Sequence, residues 1–347
     1  MAWDAVVIGG GQAGLTAARE LTRRGLSSTL LEKEATTSGS WRGYYDSLTL
    51  FTPAHLNSLG GEPFPGSPHR YPSGIEVAEY LEAYAESLSA EVRTGFTVDR
   101  VSRQREHYLI HGSDGETVVS RAVISATGGF TNPYRPHIAA LDRFTGEVIH
   151  AADYRSPERF RDKSVVVVGA GDSAVQIAVE LREHTKVILV SRHPIHYATS
   201  TPIPPNSRFW SWLARAGRLP IGRWFGHTPI PVVDTQGYKQ MIDGCAPERR
   251  EMPFGARECV LLWADGREDR VDTVILATGY RPSLGHLSSL EQFDSQGFPL
   301  HRSGLSRRHR GLAYVGLEYQ RTMLSGTLHG ANQDAAYVAR RIARTLE

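Results

Sequence analysis

Val6-Val7-Ile8-Gly9-Gly10-Gly11-Gln12-Ala13-Gly14 and Val165-Val166-Val167-Val168-Gly169-Ala170-Gly171-Asp172-Ser173-Ala174 decide the fold. Each stretch begins as an apolar β-branched run, the pattern of a parallel strand covered on both faces. Each then opens an amphipathic segment with helical spacing. Glycines at such a join permit a tight turn and a close backbone approach to a pyrophosphate. One join holds one dinucleotide. Two in one chain imply that electrons pass from one dinucleotide to another.

Leu15, Ala18 and Leu21 share a face of the helix after the first turn, and Thr29-Leu30-Leu31 forms a second strand ending at Glu32. Residues 39–72 are rich in Gly, Pro, Ser and aromatics and read as a long ordered loop. Ser73 and Glu76 fit a capping box, and Val77, Tyr80, Leu81, Tyr84 and Leu88 follow as an apolar stripe. Residues 90–125 read as short antiparallel strands with a turn at Gly112–Gly115. Val123-Ile124-Ser125-Ala126-Thr127-Gly128 closes this half, and Val274-Ile275-Leu276-Ala277-Thr278-Gly279 closes the second in the same pattern. Val175, Ala178 and Leu181 mark the second helix, and Val187–Val190 the strand after it. The chain therefore reads as α/β, with two Rossmann-like dinucleotide-binding domains, the second inserted in the first. Residues 1–155 and 281–347 form one domain and 156–280 the other. A final helix from about Asn332 returns to the first. The Pro- and Trp-rich stretch 199–240 interrupts the second unit. It reads equally as a cap over a site, a subunit contact or a surface excursion with its own apolar cluster.

The turn residues carry distinct tasks. Gly9 leaves the strand, Gly11 admits the pyrophosphate, and Gly14 lets helix and strand pack closely. The helix start then presents N–H groups and partial positive charge to the anion. Glu32, at the end of the next strand, suits ribose hydroxyls and repels a 2′-phosphate, so the first site fits FAD or NAD(H). The second site has Ser191-Arg192-His193 at the corresponding place. Arg192 can pair with a 2′-phosphate and His193 can assist, which favours NADPH and leaves NADH as an option. Ala174 stands in the third glycine position, as the motif allows.

The 347 residues are 40% hydrophobic and carry a net charge of +2. That balance predicts no nucleic-acid partner and no anionic membrane. No apolar run reaches about 18 residues, so no span is expected. No secretory leader is expected at the N-terminus. Cys245 and Cys259 are the two cysteines and are not a C-x-x-C pair. That argues against a dithiol reductase and for a reduced, cytoplasmic protein. The scattered histidines suggest no metal site.

Phe144-Thr145-Gly146-Glu147-Val148-Ile149-His150-Ala151-Ala152-Asp153-Tyr154-Arg155 matches the F-x-G-x-x-x-H-x-x-x-Y-[K/R] motif of flavin-containing monooxygenases, and lies between the two fingerprints as in that family. Gly39-Ser40-Trp41, Tyr45-Asp46-Ser47-Leu48 and Ala277-Thr278-Gly279-Tyr280 resemble further motifs of it. The chain is similar to its short bacterial members over nearly its whole length. The resemblance implies a glutathione-reductase-like fold, FAD in the first site and NADPH in the second. It implies Gly9, Gly11, Ala13, Gly14, Glu32, Lys33, Ser40, Trp41, Thr127 and Gly128 around FAD. Gly169, Gly171, Asp172, Ser173, Ala174, Arg192, His193, Thr278 and Gly279 would surround NADPH. O2 and a small-molecule substrate are the implied partners, with a homodimer left open. The implied reaction is transfer of one oxygen from a C4a-(hydro)peroxyflavin to sulfur or nitrogen, with a ketone as a further option.

Phe51, His150 and Tyr154 are the candidates for the catalytic set. Many family members place an asparagine where Phe51 aligns, and phenylalanine cannot donate a hydrogen bond there. It would form an apolar wall beside the flavin or allow loss of oxygen as H2O2. His150 and Tyr154, four residues apart, can share a helical face and read as a tie between domains. The alternatives are an NAD(P)H oxidase or reductase producing H2O2, and a non-catalytic redox-sensing flavoprotein.

Overall fold

A computed structural model describes residues 2–226 and 228–347. The first fingerprint forms strand β1 (Trp3–Ile8) and helix α1 (Gln12–Thr22), followed by β2 (Ser28–Leu31). Ala5 and Val7 pack on one side of the sheet and Val6 and Ile8 on the other, all buried. A strand covered on both faces needs such an unbroken apolar run. The loop region 39–72 holds only single 3-10 turns at Trp41–Gly43 and Ala54–Leu56.

Helix α2 (Gly74–Glu86) starts at the expected capping box. Glu76 N donates to Ser73 Oγ (3.3 Å) and Ser73 N to the Glu76 carboxylate (2.8 Å). Such a cap contributes about 1 kcal/mol. Val77, Tyr80, Leu81 and Tyr84 are buried, while Leu88 lies beyond the helix end and still packs on the same core. Strands β3 (Glu91–Arg93), β4 (Val98–Gln104), β5 (His107–Gly112) and β6 (Thr117–Ser125) follow. The last three form the expected antiparallel meander, turning at Gly112–Gly115. β3 departs from the expectation and pairs in parallel with β2. The first sheet thus runs β3-β2-β1-β6, with β6 parallel to β1.

The second sheet uses β7 (Glu147–His150), β8 (Ser164–Val168), then α3 (Asp172–Leu181) and β9 (Lys186–Val190). The excursion supplies α4 (Arg208–Ala216) and α5 (Tyr238–Asp243), and β10 (Glu248–Arg250) resumes the sheet. β11 (Gly255–Arg257), β12 (Val260–Leu262) and β13 (Glu268–Arg270) form a separate antiparallel sheet before β14 (Thr273–Leu276). The order β10-β9-β8-β14-β7 is parallel throughout. Val165 and Val167 face one core and Val166 and Val168 another. Because β7 pairs with β14, the second sheet begins at Glu147, ahead of the boundary expected at 155.

β15 (His301–Arg302), β16 (Leu305–Ser306) and β17 (Leu312–Tyr314) return to the first sheet, where β17 lies parallel to β6. Helix α6 (Leu328–Leu346) starts before Asn332, capped by Thr327. Its Ala335, Val338, Ala339 and Ile342 join Leu15, Ala18 and Leu21 in one core. The second unit is thus inserted in the first. The excursion is not self-contained: Trp210 is fully buried in a cluster with Leu56, Ile203 and Tyr71, so it sits on the first unit. Trp212 and Trp224 remain 60% and 73% exposed.

Candidate active site

Every α-helix start leaves N–H groups that need an acceptor. Ser73, Ser207 and Thr327 accept at α2, α4 and α6. The Asp234 carboxylate accepts from Gly237, Tyr238 and Lys239 at α5. Among the described residues, only α1 and α3 begin without such an acceptor from another residue, and both begin at a fingerprint glycine, Gly11 and Gly171. Bare N–H groups with a positive dipole end make an anion site.

Beside the α1 start lies a cleft of about 710 Å3, within the usual range for small-molecule sites. Gly9, Gly11, Ala13, Glu32, Lys33, Ser40, Thr127 and Gly128 all line it. A methyl at Gly11 would meet only the Gly39 Cα, at 3.7 Å, so the glycine leaves open space on the cleft side. Gly9 (φ +106°) runs against the Ala126 carbonyl, and a methyl there would lie 2.7 Å from its oxygen. Gly14 does not line the cleft. A methyl there would stand 1.8 Å from the Gly9 carbonyl oxygen, so this glycine serves helix–strand packing. The buried Glu32 carboxylate accepts from the Gly10 and Glu34 backbone N–H groups, which aim it into the cleft wall. Lys33 pairs with Glu34 at 3.1 Å. Trp41 stands behind the wall, its indole N–H donating to Gln12 Oε1 (3.0 Å).

The segments that leave the two Ala-Thr-Gly ends, 128–134 and 279–283, run antiparallel as a two-chain bridge between the units, with one Ala-Thr-Gly at each end. Thr127 Oγ1 donates to the Ser283 carbonyl (2.7 Å), and Thr278 Oγ1 to the Tyr134 carbonyl (2.5 Å). The Gly279 carbonyl accepts from Tyr134 N (2.9 Å). Thr278 and Gly279 are therefore committed to the bridge. Fully buried His150 belongs to it as well. Its Nδ1 accepts from Ala152 N (3.0 Å), so the ring proton sits on Nε2 and meets the Gly279 carbonyl at 3.1 Å. Burial, with Arg135 nearby, lowers its pKa. Tyr154, also fully buried, donates to Glu180 (2.7 Å) and stacks on Phe160. Neither lines the cleft: His150 bonds within the bridge and Tyr154 bonds Glu180 of α3. Their shared helical face is corrected, because a strand end and a 3-10 turn separate them.

The loop that carries Arg42, Gly43 and Tyr44 into the cleft wall is held from behind by α3. Tyr45 Oη donates to Gln176 Oε1 (3.0 Å), and Gln176 Nε2 donates to the Thr49 carbonyl (3.3 Å). Ser173 also bonds the Tyr45 hydroxyl. One loop thus separates the first cleft from the second fingerprint. At that fingerprint Gly169 passes against the Ala277 carbonyl, where a methyl would lie at 2.4 Å, and Ala174 packs beside it. Nothing lies within 4 Å of a methyl at Gly171. Asp172 accepts from Val233 N (3.2 Å), and burial pushes its carboxyl up to about 7. Arg192 and His193 are exposed at the end of β9.

Phe51 is half-buried and does not line the cleft. Asn57 offers no substitute donor there. Its side chain accepts from Thr52 Oγ1 (2.8 Å) and donates to the Thr52 and Pro53 carbonyls. Sequence reasoning missed several wall residues. Tyr44, Phe130 and Tyr280 form an aromatic run with ring centroids 4.4 and 5.2 Å apart, ending edge-on at His150. Burial pushes the Tyr44 phenol up to about 12. His286 lines the cleft, bonds Ser125 (3.2 Å), and burial lowers it to about 4. Arg249 reaches Ser191 and the His193 carbonyl, beside Arg192. Tyr44 adjoins the quoted Tyr45, and Tyr280 closes a quoted motif. His286 and Arg249 carry no local signal.

Residues 6–207 match the family model described as pyridine nucleotide-disulphide oxidoreductase. An uncharacterized CzcO-like oxidoreductase of Geobacillus kaustophilus is 30% identical over 341 residues, 96% of this chain and 97% of that protein. The indole-3-pyruvate monooxygenase YUCCA1 of Oryza sativa subsp. japonica is 29% identical over 97% of this chain and 91% of its own. A flavin-containing monooxygenase from Stenotrophomonas maltophilia superposes with a TM-score of 0.86 at 30% identity, covering 99% of this chain and 98% of that one.

Proposed function

The chain belongs to the flavin-containing monooxygenases within the pyridine nucleotide-disulphide oxidoreductase family, and from that premise we propose that it uses FAD and NADPH to pass one oxygen atom of O2 to a soft nucleophile, sulfur or nitrogen. The observation that carries this reading is the pair of bare helix starts, one opening on the 710 Å3 cleft and one on the open turn at Gly171. A second fit supports it: Gly11 leaves the room that a pyrophosphate needs. Bound in the cleft, FAD would supply hydride acceptance and activation of O2, chemistry that belongs to the cofactor.

The chain's own residues bind, orient and shield. The α1 start would hold the pyrophosphate and Glu32 the ribose hydroxyls. Tyr44, Phe130 and Tyr280 form an apolar wall that excludes water from one side. The start of α3 would hold the NADPH pyrophosphate, and Arg192 with Arg249 would face its 2′-phosphate. The bridge through His150, Thr127 and Thr278 fixes the distance between the two sites. No acid–base residue is required for oxygen transfer itself.

A second reading, an oxidase that releases H2O2, draws on one observation: the Asn57 side chain is committed to Thr52 and Pro53. The coupling ratio decides between them. Sulfoxide formed per NADPH consumed, with a thioether panel, approaches one for a monooxygenase. H2O2 equal to NADPH with no oxygenated product would overturn the first reading.

A further inference from the structure

Tyr44 and Tyr45 are neighbours that serve different units. Tyr44 lines the cofactor cleft, and its ring lies 4.4 Å from that of Phe130. Tyr45 is 3% exposed and joins Tyr154, Val175 and Val179 in the core of the second unit. Such a core position needs only the ring, and a buried hydroxyl costs stability unless it finds a partner. Here it finds Gln176, one turn into α3, and donates to its Oε1 at 3.0 Å. Gln176 Nε2 returns to the same loop, at the Thr49 carbonyl (3.3 Å). Both ends of this amide are therefore committed to one loop.

The loop has further ties to each unit. Asp46 N donates to the Arg155 carbonyl (2.9 Å), and the Arg155 guanidinium donates to the Arg42 and Tyr44 carbonyls. On the first unit, Arg42 pairs with Glu82 of α2 at 2.7 Å, and the Leu48 carbonyl accepts from Gly74 N (2.9 Å). Arg42 and Arg155 are exposed, where water competes for each bond they make. The Tyr45–Gln176 bond is buried at both ends.

Resting on the monooxygenase reading, we propose that Tyr45 and Gln176 are a positioning pair that fixes the cleft wall at Arg42–Tyr44 to the helix whose start receives NADPH, so that a nucleotide seated on α3 steadies the wall of the flavin cleft. Neither residue lines the cleft, so the pair acts through Tyr44 on one side and α3 on the other. Transfer between two dinucleotides needs reacting atoms within about 3–3.5 Å of each other. A wall that drifts between the two sites spoils that approach. Losing one neutral hydrogen bond shifts the balance between held and released positions by about 2- to 13-fold.

Hydrogen–deuterium exchange read by mass spectrometry, with and without NADP+, on the full chain as purified and after FAD loading, tests the pair without turnover. In the wild type NADP+ should slow exchange at the start of α3 and also in residues 42–50, where Asp46 N and Leu48 N are hydrogen-bonded. Tyr45→Phe keeps the ring in its core. It should speed exchange in 42–50 by about 2- to 13-fold, and NADP+ should still protect α3 but no longer slow the loop. Gln176→Leu should loosen the same segment, and the double variant should match it, because both singles break one bond. In anaerobic stopped-flow, Tyr45→Phe should lower the limiting rate of flavin reduction and leave the apparent Kd for NADPH at its wild-type value. Equal loop exchange in wild type and Tyr45→Phe overturns the inference. So does a wild-type loop that ignores NADP+ while α3 is protected, or a double variant that shows the sum of the two singles. NADP+ that fails to protect α3, with Tyr45→Phe still loosening the loop, would instead overturn the assignment of NADPH to α3 on which the inference rests.

Discussion

Gly11 and Gly14 stand three residues apart, yet replacing each with alanine should have opposite consequences. At Gly11 the backbone is extended (φ −79°), so alanine adopts it freely. Its methyl would meet only the Gly39 Cα, at 3.7 Å. Losing a glycine from a helix cap costs up to about 1 kcal/mol, and the stiffer unfolded chain returns about 0.4–1 kcal/mol. The apoprotein of Gly11→Ala should therefore melt close to wild type. The same methyl intrudes where a pyrophosphate would lie. Overpacking costs about 1–3 kcal/mol, so the Kd for FAD should rise about 5- to 150-fold. At Gly14 the methyl would stand 1.8 Å from the Gly9 carbonyl oxygen, forcing α1 off β1. Here the same 1–3 kcal/mol falls on the fold, lowering Tm by about 2–12 °C. Fluorescence titration with FAD and thermal melts of both apoproteins separate the effects. Wild-type FAD affinity in Gly11→Ala, or an apo melt as low as that of Gly14→Ala, would refute the reasoning.

Arg192→Ala should raise KM for NADPH about tenfold, less than a buried contact would because the side chain is exposed, and leave KM for NADH nearly unchanged; steady-state kinetics with both nucleotides checks this. The Asp172 carboxyl, raised by burial to about 7, is neutral below that pH and anionic above it, so KM for NADPH should climb between pH 6 and 8 as a charge appears at the fingerprint. Asp172→Asn should flatten that rise. Burial holds His286 at about 4, below its ordinary value, so the unfolded chain binds the extra proton first and stability falls as pH drops from about 6.5 toward 4. The loss is on the order of 3 kcal/mol, and urea titrations should show a smaller one in His286→Gln.

Patterns that repeat locally were legible in the chain. Val6–Ile8 and Val165–Val168 announced themselves because a strand covered on both faces favours a near-continuous apolar run. The Ser73–Glu76 box is a contact between neighbours and needs nothing distant. What stayed hidden depends on partners far along the chain. Glu91–Arg93 has one apolar residue, so its parallel pairing with β2 left no periodicity. Glu147–His150 sits inside a recognised motif whose sheet partner is 126 positions away, Thr273 opposite Glu147. Eight of the ten residues expected around FAD line one cleft, because the glycine turn and strand ends set them together. Trp41 lies behind that wall, and Gly14 beneath it. His150 and Tyr154 were legible as a motif but not as a geometry: their partners, Gly279 in the bridge and Glu180 on α3, are brought to them only by the assembled fold.

In the proposed reaction a flavin held at Gly9–Gly14 faces a hydride donor held at Gly169–Ala174. An anaerobic titration of the purified protein with NADPH, followed in the visible spectrum, tests both halves at once. The purified protein should be yellow, carry one FAD per chain and be bleached by one equivalent of NADPH. A colourless protein that takes up no added FAD, or a yellow one that NADPH leaves unchanged, would contradict this.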